Sequence, residues 1–259
     1  MKQSEAKVTS DATSQIYLDI ETFSGEKPPL DDFEVPPKIV SAIAKAEESL
    51  LDVKADSRLK DPAKIEADIT KKRDVLTELL PVLIQEGEGA RLNLQDMAWR
   101  SQSLDPYKGE VFCIGVAVGD DTSTCLWAPD EHRTMILLEA FLEHHPMAHY
   151  YAHNGIDFDY YWLFVKGLKY KLPRVIRAFS NKYVLKDTMK AMDGAAWKKM
   201  TSLDKMAETL GFAGKGDITG ADVHDMVLEG KGDQVCAYCE SDVNILRNCA
   251  KELAKYGLV

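Results

Sequence analysis

The chain has 259 residues, 45% hydrophobic and 29% charged, the balance of an ordinary water-exposed globular protein with a core able to support itself. Its formal net charge of −10 and pI of about 5.1 argue against a broad electrostatic grip on nucleic acid or on a membrane. Five cysteines, an odd number, do not make a secreted disulfide framework in a chain this long, so the expectation is a reducing, cytoplasmic setting.

Met1 to Thr13 is polar and lacks an apolar stretch, which predicts a disordered tail over residues 1–13 rather than a signal peptide. The first strand follows as Ile16-Tyr17-Leu18-Asp19-Ile20-Glu21-Thr22. Alternation places Ile16, Leu18 and Ile20 on one face and Tyr17, Asp19 and Glu21 on the other. Two carboxylates at i and i+2 of an apolar strand repel unless a cation lies between them or one holds a proton. A divalent metal is one reading of the pair and a strand end dipping into solvent the other.

Gly25 to Pro29 breaks regular structure, and Pro36-Pro37 starts a helix. Its stripe is Ile39, Ile43, Ala46, Leu50 and Val53. After the polar Lys54 to Lys60 turn, Asp61-Pro62 starts a second stripe of Ile65, Ile69, Leu76, Leu80 and Leu83, interrupted by Lys72. The spacing predicts an inserted helical hairpin at about 36–88, ending by Gly87-Glu88-Gly89. It is either a decoration packed on its own seam or a partner-docking arm or lid.

Val111 to Val118 reads as a buried strand, Gly119-Asp120-Asp121 as a turn and Ser123 to Trp127 as the returning strand. Asp130 caps a helix carrying Met135, Leu138, Phe141 and Leu142, and Met147 to Ala152 is another strand. The order predicts a mixed α/β sheet. At His153-Asn154-Gly155 the chain turns into an aromatic-rich helix starting near Asp157. Asp159 therefore sits in a helical first turn at the carboxyl end of a strand, where α/β sheets place ligand sites. Lys166, Lys169, Lys171, Arg174, Arg177, Lys182 and Lys186 form the one basic concentration, either a path for a phosphate backbone or a solvated face.

Val184 to Met189 reads as a short strand, Thr201-Ser202-Leu203 as a helix cap, Lys215, Gly216 and Gly220 as part of a loop, and Asp222 to Leu228 as a short helix. The last helix, about Asp233 to Tyr256, has a stripe of Val235, Cys239, Val243, Leu246, Ala250 and Leu253. Tyr238 and Asp242 stand one turn apart beside it. Cys236 and Cys239 have no second pair at zinc spacing, so both are expected to be packing residues.

Asp19-x-Glu21, Asn154-x-x-x-Phe158-Asp159 and Tyr238-x-x-x-Asp242 occur in the order of the three exonuclease motifs. Here the chain resembles the DEDD superfamily, the DnaQ-like 3′–5′ exonucleases of ribonuclease H-like fold. The tyrosine four residues before Asp242 resembles the DEDDy branch, which includes polymerase proofreading domains. A histidine five residues before Asp242 would mark the other branch, and that position is Ala237. Lys186-Asp187-Thr188 and Ser202 to Gly211 are similar to the segment between the second and third motifs in polymerase-associated members.

The resemblance covers Gln15 to about Tyr256. It implies a ribonuclease H-like mixed sheet flanked by helices, one exonuclease domain over 14–259 with the hairpin inserted, and release of nucleoside 5′-monophosphates from the 3′ end of single-stranded DNA. It implies two Mg²⁺ or Mn²⁺ ions held by Asp19, Glu21, Asp159 and Asp242, with Tyr238 orienting the attacking water. Thr22, Phe23, Asn154 and Phe158 would contact the terminal nucleotide, while His153 is expected to pack at the core or rim. The same chemistry on RNA 3′ ends, or an idle module that binds 3′ ends or docks a partner through the hairpin, are the alternatives. The chain closes at Val259, soon after the third motif, which leaves an independent nuclease, a subunit acting in trans or an excised domain.

Overall fold

Apolar alternation in the first strand is answered by two hydrophobic layers, one on each face of a five-stranded sheet. The computed structural model describes residues 14–259 apart from 195, 197 and 198, so the tail read over 1–13 lies outside the described residues. The strands are β1 (Ser14–Phe23), β2 (Glu110–Val118), β3 (Thr124–Trp127), β4 (Ala148–Ala152) and β5 (Leu185–Asp187), in the spatial order β3-β2-β1-β4-β5. β1 is central, antiparallel to β2 and parallel to β4. β2–β3 is antiparallel and β4–β5 parallel, the mixed sheet expected.

Ile16, Leu18 and Ile20 face a layer built from α3 (Glu131–Glu143), α4 (Asp159–Tyr170) and α5 (Pro173–Ser180). Met135, Leu138, Trp162, Leu163, Val175 and Phe179 close it. Asp130 caps α3 as expected, accepting from Arg133 N at 2.9 Å. On the other face Tyr17, Ala117 and Tyr151 meet α7 (Leu203–Thr209) and α9 (Gly232–Ala254). A smaller cluster there joins Cys113 to Val223 and Met226 of α8 (Gly220–Leu228) and to Val235, Tyr238 and Cys239 of α9. A short α6 (Thr188–Asp193) follows β5, its N-terminus capped by Asp187.

The chain divides into two units, one of the strand up to Gly25 with Gln102–Val259, the other Glu26–Ser101. The second unit is a helical hairpin of α1 (Pro37–Leu51) and α2 (Pro62–Ser101). α2 does not stop at Gly87-Glu88-Gly89 but runs on to Ser101, with Pro81 inside it. Gly87 stays helical because it faces α1: a Cβ there would lie 3.0 Å from Val35 Cγ1 and 3.4 Å from Ile39 Cγ2. The glycine is a close-approach residue of the seam rather than a terminator. Farther on, Gln95 is buried and donates to Pro28 O at 2.7 Å, and Arg91 donates to Phe33 O at 2.8 Å, so α2 ties down the segment that leads into the hairpin.

Candidate active site

Because Ile16, Leu18 and Ile20 face the α3 side of the sheet, Asp19 and Glu21 lie on the opposite face of β1, toward α8 and α9. On β2 the residue opposite Asp19 is Gly115 and the one opposite Glu21 is Cys113, with a register shift just beyond, between Glu21 and Thr22. Gly115 is what lets α9 come close. A Cβ there would lie 2.8 Å from Val243 Cγ2 and 2.9 Å from Cys239 Sγ. With hydrogen in its place, Cys239 Sγ reaches Asp19 O at 3.5 Å and Asp19 Oδ2 at 3.6 Å.

Asp159 arrives by a different route. β4 pairs with β1 as far as Tyr17↔Tyr151, after which the chain leaves the sheet through a turn. Asn154 adopts φ 64°, a left-handed conformation that asparagine tolerates. At Gly155 a Cβ would sit 2.6 Å from Ala152 Cβ and 2.7 Å from the Tyr160 ring. The Asp187 carboxylate gathers four backbone N–H groups, from Asn154 (3.2 Å), Ile156 (3.1 Å), Met189 (3.0 Å) and Lys190 (3.1 Å). It thereby holds the turn against β5. α4 then starts at Asp159, whose Oδ1 accepts from Ile20 N at 3.1 Å. Asp159 thus takes the amide lying between Asp19 and Glu21, beyond the last β4 pairing.

Tyr238 and Asp242, both buried on α9, complete the set. Lys215, from the loop between α7 and α8, binds the Asp242 carboxylate, meets Tyr238 OH at 3.0 Å and lies 5.1 Å above the Tyr238 ring. Its backbone N–H donates to Asp204 Oδ1 at 2.8 Å, which fixes the loop on α7. In the sequence Lys215 reads only as part of a loop, and Asp187 has no role of its own. The signal for Asp187 is its place before Thr188-Met189, an N-cap position; nothing local distinguishes Lys215.

The electrostatics follow from this crowding. Burial, then Glu21, Asp159 and Asp242, push the Asp19 carboxyl well above its ordinary range. Burial and Asp242 push Glu21 up to about 8. Burial pushes Asp159 up to about 7 against its backbone hydrogen bonds. Asp242 is raised by burial, with Lys215 opposing, and Tyr238 is raised by burial, so its phenol is neutral. Asp242 Oδ1 is buried with no hydrogen-bond partner among the described residues. Clustered hard oxygens whose carboxyls burial and mutual repulsion push up, with Asp242 Oδ1 left without a partner among the described residues, fit a hard divalent cation. Asp19, Glu21 and Cys239 bring one ligand atom each within 4.8 Å of one another.

A cleft of about 450 Å³ opens beside the carboxylates, lined by Asp19, Asn154, Lys215 and Tyr238 with Thr201 and Thr219 on its walls. Of the residues expected to contact a nucleotide, Asn154 lines it, and its Oδ1 is buried without a hydrogen-bond partner among the described residues. Thr22, Phe23 and Phe158 are not among the lining residues. Thr22 Oγ1 donates to Ser103 O at 2.7 Å, Phe23 stacks on His224 at 4.8 Å, and Phe158 packs against Trp162 at 5.8 Å. His153 packs as expected, its ring nitrogens meeting Thr188 Oγ1 at 3.1 Å and Thr201 O at 2.8 Å. In the basic segment, Lys166 and Lys169 pair with Glu131 at 2.8 Å each, and Arg174 with Glu139 at 3.1 Å and Glu143 at 2.6 Å. Those three cations brace α3, α4 and α5 instead of forming a free path for phosphates.

Residues 129–245 match the family model described as a predicted 3′–5′ exonuclease related to the exonuclease domain of PolB. That stretch holds Asp159, Tyr238 and Asp242 but not β1 or the hairpin. No curated protein matches the chain. Among solved structures, the family B DNA polymerase from the hyperthermophilic archaeon Pyrobaculum calidifontis is similar, with a TM-score of 0.52 and 20% identity over 60% of this chain. The match spans 23% of that polymerase chain, and at this identity it speaks for the fold. Among the described residues no helix is long and apolar enough to cross a membrane. The chain is thus similar, on a ribonuclease H-like mixed sheet, to the PolB-related 3′–5′ exonucleases.

Proposed function

We propose that this chain is a metal-dependent 3′–5′ exonuclease that releases nucleoside 5′-monophosphates from the 3′ end of single-stranded DNA. The observation that carries the reading is that Asp159 takes the Ile20 amide between Asp19 and Glu21, while Lys215, bound to Asp242, lines the same cleft as Asp19. These four carboxylates would hold two Mg²⁺ or Mn²⁺ ions. When bound, the ions supply Lewis acidity at the scissile phosphate and lower the pKa of a water.

The chain's own groups set the geometry. The Ile20 amide holds Asp159 beside the β1 pair. Tyr238, neutral and held by Lys215, serves as a hydrogen-bond donor that orients the attacking water rather than as a base. Lys215 offsets carboxylate charge and faces the cleft where a phosphate would enter. Asn154 offers an unused amide oxygen to a sugar hydroxyl. Thr22, Phe23 and Phe158 would act at the edge of the nucleotide site.

Matched 5′-labelled DNA and RNA oligonucleotides incubated with Mg²⁺ test the reading, with Asp19→Ala and Asp242→Ala as controls. A shortening ladder on DNA that both substitutions abolish is expected. No ladder on either polymer, or cleavage surviving both substitutions, overturns the enzymatic reading. A ladder on RNA alone overturns the DNA preference.

A further inference from the structure

Four of the five cysteines converge behind the carboxylates, although only Cys236 and Cys239 are close in sequence. Cys113 comes from β2, Cys125 from β3, and Cys236 and Cys239 from successive turns of α9. The sulfurs of Cys113, Cys125 and Cys236 all lie within 4.8 Å of one another. Cys239 packs in the same cluster, outside that group of three, with its Sγ 3.5 Å from Asp19 O. Cys249 stands apart, in the Tyr17 and Leu246 layer. Cys236 and Cys239 pack in the cluster of Cys113 and Val235 as expected, and the thiols they meet there are invisible in the sequence because two neighbouring strands supply them.

We propose that Cys113, Cys125 and Cys236 form a structural zinc site, which Cys239 completes by turning from Asp19. Zinc–sulfur bonds of about 2.3 Å in a tetrahedron put the sulfurs about 3.8 Å apart, which suits three sulfurs already inside 4.8 Å. An iron–sulfur cluster interposes its own atoms and needs a wider cage. Cys113 and Cys239 are fully buried while Cys125 and Cys236 are partly exposed, so an ion has a way in. Gly115 N–H donates to Cys239 Sγ at 3.2 Å. Amide donors of this kind stabilise metal-bound thiolates. Zn²⁺ displaces the thiol protons to solvent, and no oxidant or reductant takes part. The ion pins α9 to the β2–β3 hairpin, and with it the helix that carries Tyr238 and Asp242.

The test is metal analysis of the whole chain purified without chelator, followed by Co²⁺ titration of metal-stripped protein. About one zinc per chain is expected, with thiolate-to-Co²⁺ charge-transfer absorption that Zn²⁺ abolishes and a four-sulfur shell in zinc X-ray absorption. Cys125→Ser and Cys236→Ser, at the partly exposed positions, should weaken metal binding at least about 10–100-fold, whereas Cys249→Ser should not. Folded wild-type protein with no zinc and no Co²⁺ charge-transfer band overturns the proposal, as does a shell of nitrogen and oxygen or a disulfide among the four. Zinc found in protein that shortens no oligonucleotide leaves this site standing and removes the nuclease reading instead.

Discussion

Replacing Glu21 by glutamine should stabilise the magnesium-free protein near neutral pH while abolishing its cleavage activity. The carboxyl is held at about 8 against an ordinary 4.5, chiefly by burial and then by Asp242. Between those values the folded chain keeps a proton that the unfolded chain has released, so stability falls as pH rises through that window. At about 1.4 kcal/mol per pH unit, the cost reaches about 4 kcal/mol at pH 7.5. Glutamine escapes it but buries an amide, at about 1–2 kcal/mol. The net expectation is a gain of about 2–3 kcal/mol at pH 7.5 and a small loss at pH 4.5. Urea unfolding in magnesium-free buffer at several pH values measures this directly. The two stability profiles should cross; parallel profiles, or a variant weaker than wild type throughout, would refute the crowded-carboxylate account.

Tyr238→Phe keeps the ring and removes the hydroxyl that Lys215 holds; cleavage should slow about 10–100-fold with the Mg²⁺ half-saturation unchanged, read from single-turnover rates. Lys215→Met should cost the magnesium-free protein about 1–3 kcal/mol, because Asp242 loses its counter-charge, and thermal melts should show the deficit shrinking when Mg²⁺ is added. Gly115→Ala should destabilise by about 1–3 kcal/mol in chemical denaturation, since the new methyl meets Val243 and Cys239 inside contact distance. Replacing Glu26–Ser101 by a short glycine-serine linker should leave a cooperatively unfolding protein, because a Cβ on Gly25 would lie 3.4 Å from Gln102 Oε1, close enough to join. Loss of a cooperative transition would show that the hairpin belongs to the core.

Much of this chain is readable in one dimension because its signals are local. Period-two alternation in β1 places Asp19 and Glu21 on one face, and Asp130 and Ser202 announce the starts of α3 and α7 through caps that the structure contains. A four-residue spacing puts Tyr238 and Asp242 on one side of α9. The end of α2 is misread from the sequence because glycine usually stops a helix, whereas Gly87 is kept by its contact with Val35 and Ile39. The basic segment looks continuous because its acidic partners on α3 lie some thirty to forty positions earlier in the chain.

The sequence by itself determined the sheet's alternation, most helix starts and which residue types were available for chemistry. A central β1 is already expected from the sequence, but only the tertiary structure decided that Asp159 is fixed on Ile20, that Lys215 reaches Tyr238 and Asp242, and that Cys113, Cys125 and Cys236 from β2, β3 and α9 meet. The reason is physical: alternation and capping are set by neighbours along the chain, while proximity across the fold depends on how closely elements pack. Here that closeness turns on the missing side chain at Gly115, which brings α9 onto the strand pair that carries Asp19 and Glu21.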